Sequence, residues 1–246
     1  MYRKQVRLFN LQKINTLSMA IFIIVFIASS MINIFATDNI QQGYTVTGRV
    51  WLDVLIAVLL LVVGLFVHEG LHALTAICVG GNKKSDIKFG IKLKQGILYC
   101  HASKPMEKSK YLATLIVPVI LTGIIPMIFS IIWANAVFIA TFAFLIAGGA
   151  GDFVMFFDVL KNCEKEALII DHENTVGYYK AYEDGKQPQD FMETTEEDEQ
   201  KMLKDMHNQN VAFSQKTTWV KIVAIVLFVI LIIVALYFIA KIIRLV

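Results

Sequence analysis

Apolar residues in this chain gather into five long blocks separated by polar or alternating stretches, and each block is long enough to cross a bilayer. A hydrocarbon core of about 30 Å needs roughly 20 consecutive apolar residues in a helix. The blocks run from about Leu17 to Phe35, Trp51 to Val79, Tyr111 to Trp133, Ala136 to Phe157 and Trp219 to Ala240. Val54 to Phe66 and Ile222 to Phe238 are apolar on every face, which argues against a surface amphipathic helix. Arg3, Lys4 and Arg7 precede the first block as they would a signal peptide. The block is long for such a segment and no small-x-small cleavage site follows it, so it reads as a membrane helix.

The intervening stretches carry a different period. Ile87, Phe89, Ile91 and Leu93 alternate with Asp86, Lys88, Gly90, Lys92 and Lys94, the signature of a half-buried strand. Gln95-Gly96 predicts a tight turn, with Ile97 to Ala102 returning as a second strand. Ala167 to Ile170 and Val176 to Tyr179 flank Asp171-His172-Glu173-Asn174-Thr175 and predict a second short hairpin. Residues 183–210 are polar and acidic, and Thr194-Thr195-Glu196-Glu197 contains a capping-box pattern that predicts a short exposed helix.

Composition agrees with a membrane protein: 57% of the 246 residues are apolar, more than a soluble domain of this size normally carries. The net charge of +3 says little, but its placement orients the chain. The N-terminal arm carries Arg3, Lys4, Arg7 and Lys13, and the 80–110 loop carries Lys83, Lys84, Lys88, Lys92, Lys94, Lys104, Lys108 and Lys110. The 36–50 loop has only Arg49, and the Trp133-Ala134-Asn135 turn has no basic residue. Basic loops stay in the cytoplasm, so the expectation is a cytoplasmic N-terminus in a cell membrane, with 161–217 on the same side. Lys241 and Arg244 would then lie outside, a mild violation. Cys78, Cys100 and Cys163 share no spacing that suggests a disulfide framework or a metal knuckle, and read as free thiols.

The fold class expected is an all-α polytopic membrane protein with about five transmembrane helices and one or two small cytoplasmic β-hairpins. The organisation expected is 1–50 as an arm, first helix and outer loop, 51–182 as a membrane-embedded core, 183–217 as an acidic linker or helix, and 218–246 as a last transmembrane helix.

The second block reads Gly64-Leu65-Phe66-Val67-His68-Glu69-Gly70-Leu71-His72-Ala73. His68 and His72, four apart, lie on one helix face a turn from each other. That spacing lets both imidazoles reach one Zn²⁺ at about 2.0–2.1 Å. Glu69 beside them is placed to act as a general base on water. The bland alternative is a pair of packing histidines. A charge at the centre of a spanning helix costs at least ~2.5–3.5 kcal/mol and normally marks function, which favours the metal site.

A catalytic zinc usually takes three protein ligands. The candidates are Asp152, Asp158, His101, His172 and Glu173, and Asp152 is preferred. It lies in Ala147-Gly148-Gly149-Ala150-Gly151-Asp152-Phe153 within an apolar helix, at a depth comparable to that of the histidines. Gly148 one turn away, Gly151 beside it and Gly64 one turn from His68 would let the helices approach closely. The alternative is that the glycines serve packing alone and Asp152 pairs with a lysine. His101 reads as a partly exposed polar residue, with oxyanion stabilisation as the alternative. Asp171, His172 and Glu173 are adjacent on a turn, point in different directions, and are not assigned as ligands.

Helix-borne His68-Glu69-Gly70-Leu71-His72 with a distant Gly151-Asp152 resembles the DUF3267 zincin-type peptidases and, more loosely, the site-2 protease class of intramembrane metalloproteases. The likeness extends over roughly 50–180, through Phe89-Gly90-Ile91, Tyr99-Cys100-His101-Ala102, Pro105, Pro118, Asp171 and Val176-Gly177. It implies zinc on His68 and His72, Glu69 as base and Asp152 as third ligand. Gly-Ala-Gly-Asp-Phe departs from the Asn-Pro-Asp-Gly pattern usual around the site-2 aspartate.

The expected activity is therefore zinc-dependent hydrolysis of peptide bonds in membrane-bound or membrane-proximal substrates, with the lipid bilayer and the substrate peptide as partners. His and carboxylate ligands also admit other divalent ions. The hairpin at 86–102 would either receive an extended peptide at its edge or lie on anionic headgroups. The alternatives are a metal transporter using the same residues, though no repeated halves are visible, or a catalytically silent relative that binds membrane partners. No phosphate-binding glycine loop or nucleic-acid module is present in the sequence, so no nucleic-acid partner is expected.

Overall fold

The computed structural model describes residues 2–37, 47–92, 97–132, 136–173 and 175–216. Strand β1 (Tyr2–Leu8) leads into helix α1 (Leu11–Thr37). Asn10 caps α1, its Oδ1 accepting the Gln12 and Lys13 backbone N–H groups at 3.0 and 3.2 Å. That cap lets the helix begin six residues before the apolar block, because it satisfies donors a helix start leaves open. Helix α2 (Val50–Cys78) follows. Asp53 in its first turn is fully buried, with Oδ1 accepting from the Thr47 hydroxyl at 2.8 Å and the Thr47 amide at 3.1 Å.

Strands β2 (Ile87–Lys92) and β3 (Ile97–Ala102) form an isolated antiparallel hairpin, with Phe89 opposite Cys100 and Lys88 opposite His101. Its Gln95-Gly96 turn lies outside the described residues. After the short β4 (Met106–Glu107) come α3 (Lys108–Val119), a π-helical turn (Ile120–Ile124) and α4 (Ile125–Ile132). Helices α5 (Ala136–Gly148) and α6 (Ala150–Asn162) follow, bent by 44° at the Gly148-Gly149 junction. The fourth apolar block is thus a broken helix rather than the continuous one expected.

Three stretches among the described residues are helical, long and apolar enough to cross a membrane: Leu11–Asn33, Trp51–Cys78 and Lys108–Ile132. The bent α5–α6 pair makes a fourth if it is one span. The fifth apolar block, Trp219–Ala240, lies outside the described residues.

The largest departure from expectation is a four-stranded antiparallel sheet, ordered β1-β6-β5-β4, with β5 at Leu168–Asp171 and β6 at Gly177–Glu183. The 167–179 hairpin is present, but it forms the centre of this sheet. The N-terminal arm is no loose tail: it pairs along β6 from Tyr2↔Glu183 to Leu8↔Gly177. Since β1 precedes α1, β4 follows α2 and β5–β6 follow α6, the sheet gathers three segments at one end of the helices. A buried cluster joins that sheet to the helix ends through Ala76, Met106, Tyr111, Leu115, Val159 and Tyr178. Lys108 ties off α6, its Nζ donating to the Leu160 and Cys163 carbonyls at 2.9 and 2.7 Å.

The chain divides into two units, Met1–Glu199 and Gln200–Val246. Helix α7 (Glu196–Lys216) begins in the first. Its capping box lies one residue later than the expected pattern. The Asp198 amide donates to the Thr195 hydroxyl oxygen at 3.2 Å, and the Thr195 amide returns to Asp198 Oδ2 at 3.2 Å. Thr194 is instead drawn to β1, its Oγ1 accepting from the Val6 amide at 3.0 Å and its amide donating to the Lys4 carbonyl at 2.9 Å.

Candidate metal centre

In α2 the i, i+4 spacing brings the His68 and His72 rings together, with centroids 4.9 Å apart at 70°. His68 is 7% exposed. Facing both is Asp152: His68 Nε2 lies 3.1 Å from its Oδ2 and His72 Nε2 lies 3.5 Å from its Oδ1. The alternative of a lysine partner for Asp152 does not hold here. The ligating atoms of His68, Glu69 and His72 fall within 4.8 Å of one another. Two carboxylates therefore flank the imidazoles. Asp152 is the one in direct contact with both, while Glu69 stands beside them with the Cys100 backbone N–H directed at its carboxylate.

The break in the fourth span places Asp152. The residue lies in the first turn of α6, where the positive end of a helix dipole favours an anion. Close approach comes from Gly149 rather than Gly148. A Cβ at Gly149 would lie 2.8 Å from Val119 Cγ2 and 3.4 Å from Asp152 Oδ2, whereas one at Gly148 would meet nothing within 4 Å. Gly64 has the expected role: a Cβ there would lie 2.7 Å from Leu145 Cδ1. Gly151 approaches only Val176, at 3.9 Å.

The donor set fits zinc. Nitrogen and carboxylate ligands at about 2.0–2.1 Å in a tetrahedron stand about 3.3 Å apart. The imidazole-to-carboxylate separations of 3.1 and 3.5 Å bracket that edge.

Residues 61–168 match the family model DUF3267, described as "Putative zincin peptidase". No curated protein and no solved structure matches the chain. The matched segment contains His68, Glu69, His72 and Asp152, together with the β2–β3 hairpin.

Two of the other ligand candidates, Asp158 and His172, are hydrogen-bonded elsewhere. Asp158 accepts from the Tyr178 hydroxyl at 2.6 Å and from Asn162 Nδ2 at 2.7 Å. His172 Nε2 lies 3.1 Å from Glu199 Oε1. Glu173 is exposed and stands 3.9 Å from both Lys88 Nζ and His101 Nε2. His101 is buried rather than partly exposed, at 4%.

Two features of the site rest on tertiary structure: Thr122 carries no sequence signal, and Asp171, part of the family resemblance, has no role assigned by it. Thr122, in the π-turn of the matched segment, places its Oγ1 3.0 Å from His68 Nδ1. Asp171, just beyond that segment, accepts from the Tyr111 hydroxyl at 2.7 Å and the Ala102 amide at 3.0 Å, joining α3, β3 and β5. Burial pushes the Asp171 carboxyl above its usual range, against the pull of those two donors. Burial, with Glu69 and Asp171 nearby, pushes the Cys100 thiol up to about 12, so it is no nucleophile at neutral pH.

Proposed function

We propose that this chain is a membrane-embedded zinc metallopeptidase acting on membrane-associated peptides. The observation that carries the reading is the meeting of His68 Nε2 with Asp152 Oδ2 at 3.1 Å and of His72 Nε2 with Asp152 Oδ1 at 3.5 Å, beside a His68-Glu69-His72 group whose ligating atoms lie within 4.8 Å of one another. His68, His72 and Asp152 would hold the metal. Zinc bound there supplies Lewis acidity toward a carbonyl oxygen and lowers the pKa of water toward about 7. Glu69 takes the proton of the attacking water and passes it to the departing amine. The sheet end of the helices is the cytoplasmic end in this reading, on the strength of the lysines in the 80–110 loop.

In this reading an extended substrate pairs beside Leu98 on the outer edge of β3, since the next two outward N–H groups are already taken. The Cys100 N–H is directed at Glu69 and the Ala102 N–H at Asp171. Alternate residues of a strand direct their backbone groups to the same edge. Leu98, Cys100 and Ala102 therefore turn theirs away from β2, along the edge that borders Glu69. An extended peptide added there by strand pairing would run past the base. Leu98→Pro deletes one outward N–H without removing a β2–β3 hydrogen bond. It is expected to raise KM about tenfold, the worth of one lost hydrogen bond of ~1–1.5 kcal/mol, with zinc content unchanged. Unaltered KM in a cleavage assay would remove β3 from substrate binding.

The metal assignment is tested by elemental analysis of the purified full chain. One zinc per chain is expected for wild type, and less than about a tenth of that for His68→Ala or His72→Ala, since two protein ligands would remain of the usual three. Full occupancy in either variant would end this reading.

A further inference from the structure

We infer that Thr122 is a positioning residue for the metal site, fixing the tautomer of His68 so that Nε2 presents its lone pair to the cation. The inference rests on the metallopeptidase reading and adds to it a residue outside the His-Glu-x-x-His helix.

The argument is a count of hydrogens. Thr122 Oγ1 lies 2.7 Å from the Pro118 carbonyl oxygen and 3.0 Å from His68 Nδ1. Its hydroxyl has one hydrogen to give. The carbonyl can only accept, and two oxygens at 2.7 Å repel without a proton between them. The threonine hydrogen therefore points at Pro118. Toward His68 the hydroxyl oxygen offers a lone pair, so Nδ1 must bring the proton. A neutral imidazole protonated at Nδ1 is bare at Nε2. That bare nitrogen stands 3.1 Å from Asp152 Oδ2, a meeting of two lone pairs that a metal cation between them, or a proton in its absence, makes favourable. The partner on the far side of a ligating histidine commonly sets its tautomer and ring orientation in this way.

The backbone is built for the contact. The π-helical turn Ile120–Ile124 interrupts the third span just after Pro118, and single π-turns inside helices are frequent at functional sites. Thr122 is 6% exposed within it, so its hydroxyl is shielded from competing water. Gly123 next to it packs close on α5, where a Cβ would lie 2.6 Å from Ile146 Cγ1. The turn is therefore pinned at the level of the histidines.

The test uses the purified full chain in nanodiscs with zinc as the only added ligand. Zinc affinity is read by competition with a chromophoric chelator, and the ¹⁵N resonances of labelled histidine are read in metal-free protein. Thr122→Val keeps the shape and removes the hydroxyl. It is expected to weaken zinc binding about 10–100-fold, the usual range for loss of such a partner, and to abolish the Nδ1–H signature of His68. Thr122→Ser is expected to bind within threefold of wild type and keep that signature, a rescue that a purely structural role would not predict. Wild-type affinity in Thr122→Val, or an unchanged His68 signature, overturns the inference while leaving the metal site standing. Failure of the wild type itself to bind zinc removes the metallopeptidase reading, and this inference with it.

Discussion

Glu69→Gln is expected to lower the rate of peptide cleavage by about 10²–10⁴-fold, the range a positioned general base contributes, while leaving one zinc per chain. The two halves of that expectation come from different observations. Zinc retention follows because His68 and His72 face Asp152 directly, whereas Glu69 stands alongside. Loss of rate follows because glutamine keeps the size of the side chain and its contact with the Cys100 N–H, yet cannot accept a proton. The measurement is cleavage of a membrane-anchored test peptide by wild type and variant at equal zinc content. A loss of that size corresponds to about 2.7–5.4 kcal/mol of transition-state stabilisation. If the variant cleaved within threefold of wild type, the proton would be moving through another group. If it lost its zinc, Glu69 would be a ligand and the base would have to be sought elsewhere.

What the sequence disclosed followed the strength of each local signal. His68, Glu69 and His72 stand out because the two histidines share one helix face with Glu69 beside them inside an apolar run, where charges are costly and seldom accidental. The same cost argument singles out Asp152, and the structure sets it against both histidines, but the means of placing it there had no local signal. The chain reads as one continuous apolar helix through Gly148-Gly149, yet it bends there by 44°, and Gly149 rather than Gly148 makes the close approach. A glycine pair gives freedom to bend, and only packing against Val119 decides how that freedom is used.

Strand β1 carries only a short period, with Val6 and Leu8 alternating against Gln5 and Arg7 while Tyr2, Arg3 and Lys4 are all exposed. Its basic residues carry the stronger signal, for topology, and a strand whose partner lies about 175 residues away declares no pairing locally. Thr122 was invisible for a related reason. A threonine in an apolar span is unremarked until tertiary structure brings His68 from another helix to within hydrogen-bonding distance. Asp171 has no readable role in sequence because neighbouring turn residues diverge. That divergence is real, since Asp171 joins Tyr111 and Ala102 while His172 goes to Glu199. It was the reason for the difference between them, not evidence that none mattered.

Asp152→Ala is expected to lower zinc affinity by more than the ~10–100-fold that loss of an outer partner causes, because in the proposed site it removes a ligand and leaves two imidazoles facing an empty corner. Asp152→Asn should fall between alanine and wild type, since an amide oxygen keeps the geometry without the charge. Asp158 supplies the control, one turn and a half further along the same helix. Its carboxylate is held by Tyr178 and Asn162 at 2.6 and 2.7 Å. Burial, together with that bond to Asp158, pushes the Tyr178 phenol well above its ordinary range. Asp158→Asn should therefore weaken the α6–β6 contact, lowering thermal stability, with one zinc still bound per chain. Chelator competition and thermal melts on the two variants separate the roles. Zinc loss confined to Asp152 variants, and stability loss in Asp158→Asn without zinc loss, is the outcome this geometry requires. Wild-type zinc affinity in Asp152→Ala would mean that the carboxylate 3.1 and 3.5 Å from the two rings only pairs with them as imidazolium ions, and Glu69 would then be the remaining candidate for third ligand.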